Sequence, residues 1–270
     1  MSMMKQAKAE RAAGRMKKRW PAGIASALAL LCAVSGVYLA RANSAEVVAR
    51  KRELPVYSVD RDDKKIAISF DAAWGGDKTT KILDILDAYG VKTTFFLVDT
   101  WTQRFPELVK EIHDRGHEIG NHSTTHPQMS KLTPEKIRQE LSVMAQNLEA
   151  ITGEKPTLFR APYGDYNNQV ILTAREAGYV PVQWSVDSLD WKNKGVQDII
   201  ARTTNSIRSG DIVLFHNDSR DILEALPTIL KSYRQQGLTV VPVGELLLQG
   251  ETTIDVQGVQ HPAAATVPEV

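Results

Sequence analysis

From residue 64 onward, short apolar runs alternate with longer stretches of helical period. Strand patterns fall at 66–70, 93–98, 118–121, 157–160, 180–186, 212–215 and 239–241. Helical patterns fall between them at 79–89, 106–115, 134–152, 169–177, 196–206, 221–235 and 243–248. Gly90, Gly116, Gly153, Gly178, Gly210 and Gly237 follow or close six of these helices, where a left-handed residue ends a helix well. Alternation of this kind predicts parallel βαβ units. About seven units in ~185 residues predict an α/β fold: a distorted parallel (β/α) barrel with about seven strands. An open doubly wound sheet is the alternative, although no Gly-rich phosphate loop follows the first strand, only Trp74-Gly75-Gly76.

The pattern upstream is different. Pro21 to Ala40 carries no charge, and roughly 20 apolar residues suffice to cross a bilayer as a helix. Lys5, Lys8, Arg11, Arg15, Lys17, Lys18 and Arg19 precede it against Glu10 alone, which predicts a cytoplasmic start and an extracytoplasmic remainder. The expected order is a basic cytoplasmic segment (1–19), a single transmembrane anchor (20–40) and a polar stalk (41–63). A globular domain (64–248) and a disordered tail (249–270) follow. Ala40-Arg41-Ala42 leaves a cleavable signal peptide as the second reading.

Charge and cysteine usage narrow the chemistry. The chain of 270 residues has a net charge of +1, but the basic start leaves the rest net acidic. That argues against a nucleic-acid partner. Cys32 is the only cysteine, so no intramolecular disulfide and no thiolate metal site exists.

In both candidate folds the site lies at the C-terminal ends of the strands. Asp71, His122, Arg160, Asp187 and His216 stand at or just after the ends of five different predicted strands. His122 and His126 are four apart, a spacing that places two imidazoles on one side of a helical turn to hold a metal. With no thiolate available, zinc or another first-row divalent ion is expected. His113 and His117 share the spacing, but Gly116 interrupts them. The expectation there is a solvated His113 and a packed His117. An arginine beside a carboxylate makes an oriented, ionised base of Asp71 and Arg160. Asp187 and Asp190 precede Trp191, and an imidazole beside such a carboxylate suits His216 to general acid work.

In chain order the motifs are Ser69-Phe70-Asp71, His122-Ser-Thr-Thr-His126, Arg160-x-Pro162-Tyr163-Gly164, Asp187-x-x-Asp190-Trp191 and Leu214-x-His216. The set resembles the NodB-homology polysaccharide deacetylases, carbohydrate esterase family four, and in particular their anchored bacterial members of the cell wall and sporulation. The resemblance covers about residues 64–247. It implies hydrolysis of the N-acetyl group of an amino sugar in an extracytoplasmic polysaccharide such as peptidoglycan. It implies Asp71 as general base, His122 and His126 as metal ligands, and Arg160 orienting Asp71. The Tyr163 N–H would hold the oxyanion, and His216 would be the acid, tuned by Asp190. Leu214 and Trp191 would line the acetyl pocket. One departure stands out: Ala72 occupies the place of the family's second Asp, the third metal ligand. Asp77 reaching in, Asp71 leaning to the metal, or a metal held by two histidines and water are the three replacements. A glycan-binding barrel without turnover is the competing function.

Overall fold

Residues 52–263 are described by the structure, a computed structural model. The main sheet is parallel throughout and runs β6 (Val180–Pro181), β5 (Leu158–Phe159), β4 (Glu118–Asn121), β3 (Thr94–Leu97), β2 (Lys65–Ala72), β8 (Ile212–His216), β7 (Val186–Asp187). A further strand, β9 (Thr239–Val241), pairs with the start of β2.

Chain connectivity forces this sheet to curl. Its edge strands β6 and β7 are joined by residues 182–185 alone, an extended reach of about 18 Å. Six strand spacings laid flat would need about 29 Å. The result is the distorted barrel expected, not the open doubly wound sheet. The predicted strand 180–186 is split at the seam. The Val182 N–H donates to the Phe159 carbonyl and the Gln183 N–H to the Val56 carbonyl, so these residues serve the lead-in rather than one continuous strand.

Helices cover the outer face. They are α1 (Thr79–Ala88), α2 (Asp99–Arg104), α3 (Pro106–Asp114), α4 (Pro134–Thr152), α5 (Asn168–Glu176), α6 (Val196–Thr204), α7 (Ile222–Gln235) and α8 (Val243–Leu246). The sequence pattern missed α2, whose six residues are too few to show a period. Helix α4 begins and ends where its pattern predicts. Thr133 accepts from the Lys136 N–H, Pro134 opens the helix, and Gly153 closes it at φ 80°.

Alternation along β2 separates core from site. Ile66, Ile68, Phe70 and Ala72 belong to one buried cluster. Phe70 stacks on Phe95 at 5.1 Å and on Phe215 at 5.6 Å. Ser69 and Asp71, offset by one residue, face the other way.

Both flanking expectations need correction. The predicted stalk is part of the domain from residue 52 on: Val56 and Val59 are buried, and Val56 bridges to Val182. The predicted disordered tail is folded as far as residue 263. There β1 (Ser58–Val59), β11 (Val259–Pro262) and β10 (Thr252–Ile254) form a three-stranded sheet. Asp255 accepts from the Gln257 and Val259 N–H groups, and Gly258 sits at φ 84°, which makes the tight turn of that hairpin. Three-residue strands carry too little apolar alternation to stand out in a polar segment. The anchor expected over 20–40 lies outside the described residues. Among the described residues no helix is long and apolar enough to cross a membrane.

Candidate active site

Asp71 sits at the end of β2, with Arg160 buried beside it just after β5. Arg160 Nη1 donates to Asp71 Oδ1 at 2.8 Å and to Ser69 Oγ at 2.9 Å, and Nη2 donates to the Gln183 carbonyl at 3.0 Å. The guanidinium lies over the Phe96 ring, 4.0 Å from its centroid. Burial alone would raise the Asp71 carboxyl. The charges of Arg160, His122 and His216, with the Arg160 hydrogen bond, outweigh it and hold Asp71 below the ordinary carboxylate value. Asp71 is thus an ionised carboxylate with one oxygen held by Arg160.

The other Asp71 oxygen, Oδ2, lies 3.4 Å from His122 Nε2. The His122 Nδ1–H donates to the Arg160 carbonyl at 2.8 Å, which fixes the tautomer and leaves the Nε2 lone pair toward the site. The His126 ring lies 5.0 Å from that of His122, and its Nδ1 is buried without a hydrogen-bond partner. Burial holds both imidazoles below their ordinary value, His126 at about 4. The two rings meet for a reason other than the one the spacing suggested. Residues 122–128 form a loop, not a helical turn, and Ser123 (φ 73°) and His126 (φ 59°) are left-handed.

Across the cleft, His216 ends β8. Its Nδ1–H donates to Asp190 Oδ1 at 2.7 Å, and its backbone N–H donates to Asp190 Oδ2 at 2.9 Å. Burial pushes His216 down, but the Asp190 hydrogen bond and the charges of Asp190, Asp71 and Asp218 exceed it, and the net shift is upward. The two carboxylates of Asp187-x-x-Asp190 have different jobs. Asp190 is buried against His216, whereas Asp187 Oδ1 accepts from the Leu189 N–H and shapes the turn at the cleft wall.

A cleft of about 790 Å³ joins these groups, with Leu214, Trp191, Tyr163, Trp184 and Trp74 along its walls. Tyr163 adopts φ 60°, ψ 8° in the bend after Arg160, and its ring meets His126 edge-on at 4.4 Å. A left-handed tyrosine costs roughly 1–3 kcal/mol and marks a constrained site. Trp74, Tyr163 and Trp191 are 57%, 62% and 56% exposed. They form an exposed aromatic rim to the cleft. Sequence reading missed Trp74. The signal was an exposed aromatic before Gly75-Gly76 at a strand end.

A divalent metal fits this donor set in part. Two neutral imidazoles, one with an unpartnered buried nitrogen, suit metal ligation. The 3.4 Å gap between His122 Nε2 and Asp71 Oδ2 is near the spacing of two ligand atoms each about 2.1 Å from a tetrahedral ion. Ala72 supplies no donor. Asp77 does not reach the site: its side chain is 75% exposed and pairs with Lys78 at 3.6 Å. Among the described residues no three His, Cys, Asp or Glu side chains form a ready three-ligand set.

A polysaccharide deacetylase family model matches residues 58–182. A peptidoglycan-N-acetylglucosamine deacetylase of Bacillus cereus is 40% identical over 196 residues, covering 71% of this chain and 92% of that protein. The peptidoglycan-N-acetylmuramic acid deacetylase PdaA of Bacillus subtilis is 33% identical over 199 residues, 72% of this chain and 76% of that one. A solved carbohydrate esterase family four pseudoenzyme from Bacillus anthracis superposes with a TM-score of 0.69 at 33% identity, over 71% of this chain and 68% of that one. A mutant of that pseudoenzyme, described as having restored enzymatic activity, superposes equally well, at 0.69 and 34% identity over 71% of this chain and 70% of that one. With the Asp71–Arg160 and His216–Asp190 pairs facing one cleft beside two imidazoles, the chain belongs to the polysaccharide deacetylase family, hydrolases of N-acetyl groups on sugars.

Proposed function

We propose that this protein removes acetyl groups from N-acetylated amino sugars of an extracytoplasmic polysaccharide, with peptidoglycan the first candidate. The observation that carries the reading is the opposition of an ionised Asp71 and a raised His216 across one cleft. A divalent ion held by His122 and His126, with zinc the expected one, would supply Lewis-acid polarisation of the acetyl carbonyl. Asp71 Oδ2 takes a proton from the attacking water, and Arg160 keeps the resulting acid in place. The Tyr163 N–H receives the developing oxyanion. As the C–N bond breaks, His216 Nε2 gives its proton to the departing amine, and acetate and the free amino sugar leave. The uncharged run at 21–40 behind a basic cluster supports a single-pass anchor in the cytoplasmic membrane with this domain outside.

A second reading is a glycan-binding barrel without turnover. It is favoured by Ala72, by the incomplete ligand set, and by the pseudoenzyme among the similar structures. Acetate release from acetylated chito-oligosaccharides and from peptidoglycan, with zinc or cobalt added, decides between the two. Release above the metal-free blank supports the hydrolase. Binding of the same oligosaccharides with no release supports the second reading.

A further inference from the structure

The loop carrying His122 and His126 has little regular structure of its own and is held by its neighbours: the Asp99 N–H donates to the Ser123 carbonyl at 3.0 Å, the Thr100 N–H to the Thr124 carbonyl at 3.2 Å, and one side chain closes on its middle. Glu140, in the middle of α4, accepts from both the Thr124 and Thr125 N–H groups on Oε2, at 2.9 and 2.8 Å. Its Oε1 accepts from the Thr125 hydroxyl at 2.8 Å, and its backbone carbonyl accepts from the Thr124 hydroxyl at 2.7 Å. Two successive N–H groups closing on one carboxylate oxygen form an anion nest, here filled by the protein itself. The tie sits between two left-handed residues, Ser123 and His126, where an L-residue stays only if its surroundings over-determine it. Ser123 Oγ accepts from the His126 N–H at 3.0 Å, and Asn121 Oδ1 accepts from the Ser123 N–H at 2.8 Å, so the loop is braced at both ends as well.

We infer that Glu140 is a positioning residue for the metal: it holds the 123–126 turn so that the His126 ring stays beside His122, and it thereby sets metal affinity. The inference rests on the reading that His122 and His126 are the ligands. It matters here because Ala72 supplies no carboxylate to share the ion with the two imidazoles. Partners behind the ligands are typically worth about 10–100-fold in metal affinity. Reach, not charge, is the quantity Glu140 supplies. Glutamine can still offer one oxygen to both N–H groups and an NH₂ to the Thr125 hydroxyl. Aspartate keeps the charge but is one methylene short.

The test is zinc titration of the full chain by calorimetry, with cobalt absorption as a signature of ligand geometry and melting temperature measured alongside. Glu140→Asp and Glu140→Ala are expected to weaken zinc binding by about 10–100-fold, and Glu140→Gln to stay within about threefold of the parent. Equal affinity in all four proteins overturns the inference. So does tight binding by Glu140→Asp with weak binding by Glu140→Gln, which would make charge the operative property. Should Glu140→Ala fail to fold, the Asp and Gln variants still decide. If the parent chain takes up no zinc or cobalt, the ligand assignment falls, and this inference with it. That result is distinct from a parent that binds and variants that bind alike.

Discussion

Three histidines share one cleft, and the two sides of it tune them in opposite directions. His122 and His126 are held below the ordinary imidazole value, while His216 is held above it. Burial acts on all three in the same sense, so burial does not decide the outcome. The partner does. His122 faces Asp71 only at 3.4 Å, too weak a contact to offset burial, and His126 Nδ1 has no hydrogen-bond partner, whereas His216 Nδ1 donates to the buried Asp190 carboxylate at 2.7 Å. A neutral imidazole presents a lone pair, and a cationic one presents a proton. Under the proposed function, the first side would hold an electrophile and the second would release a leaving group.

The strongest way to break this comparison is to remove its proton-handling members. His216→Ala and Asp71→Asn are each expected to lower acetate release by ~10²–10⁴-fold while circular dichroism and zinc uptake stay near those of the parent. Activity within a few-fold of the parent in either folded variant would end the assignment of base and acid.

A subtler change would make one side resemble the other. Asp190→Asn keeps a hydrogen-bond acceptor for the His216 Nδ1–H but removes the charge that offsets burial. The upward shift of His216 then shrinks, with only Asp71 and Asp218 left to oppose burial by charge. The raised value of His216 means that its proton is retained as pH rises above the ordinary imidazole range, so as the proposed general acid it would work until pH passes the folded value. The stabilisation from the Asp190 contact has the same sign: complete below the ordinary imidazole value, lost as pH rises through the folded one. The alkaline limb of kcat/KM should therefore move to lower pH in Asp190→Asn. An unmoved limb would assign it to another group.

Much of this was legible in the sequence, and what was not has a physical cause. The strand–helix alternation gave the parallel α/β architecture, because strands buried on both faces, such as β2 and β8, read as largely apolar runs. The strand-end positions of Asp71, Arg160 and His216 followed from it. The histidine spacing picked out two rings that do meet, 5.0 Å apart, but a braced loop brings them together rather than a helix. The same spacing at His113 and His117 joins nothing. His113 is partly exposed beside Asp114, and the buried His117 Nδ1 accepts from the Thr93 N–H, which ties it to the sheet. Glu140 was invisible because its partners are backbone N–H groups 15 and 16 residues away. The edge hairpin escaped because its strands are three and four residues long.

The last prediction gives the imidazole side the carboxylate it lacks. Ala72 is fully buried between two cleft-lining residues, Asp71 and Ala73. Its Cβ belongs to the cluster of Phe70, Val98 and Trp101 rather than to the cleft. An Asp here therefore meets two opposing demands. Without metal it is a charge with no partner in an apolar setting, which costs stability. With metal it has a dication to turn toward from the rim of the strand. The expected result for Ala72→Asp is a lower melting temperature than the parent in chelator, a larger rise on adding zinc, and zinc affinity about tenfold tighter, ~1.4 kcal/mol. Of the three changes this is the smallest, because gain and cost partly cancel within one residue. Loss of stability in chelator with no extra recovery by zinc would show that residue 72 stays turned to the core. Asp71 Oδ2, 3.4 Å from His122 Nε2, would then be the carboxylate oxygen left to serve as both ligand and base. That double duty would itself account for a slow enzyme, because an oxygen donating to a cation is a poorer acceptor for the proton of water.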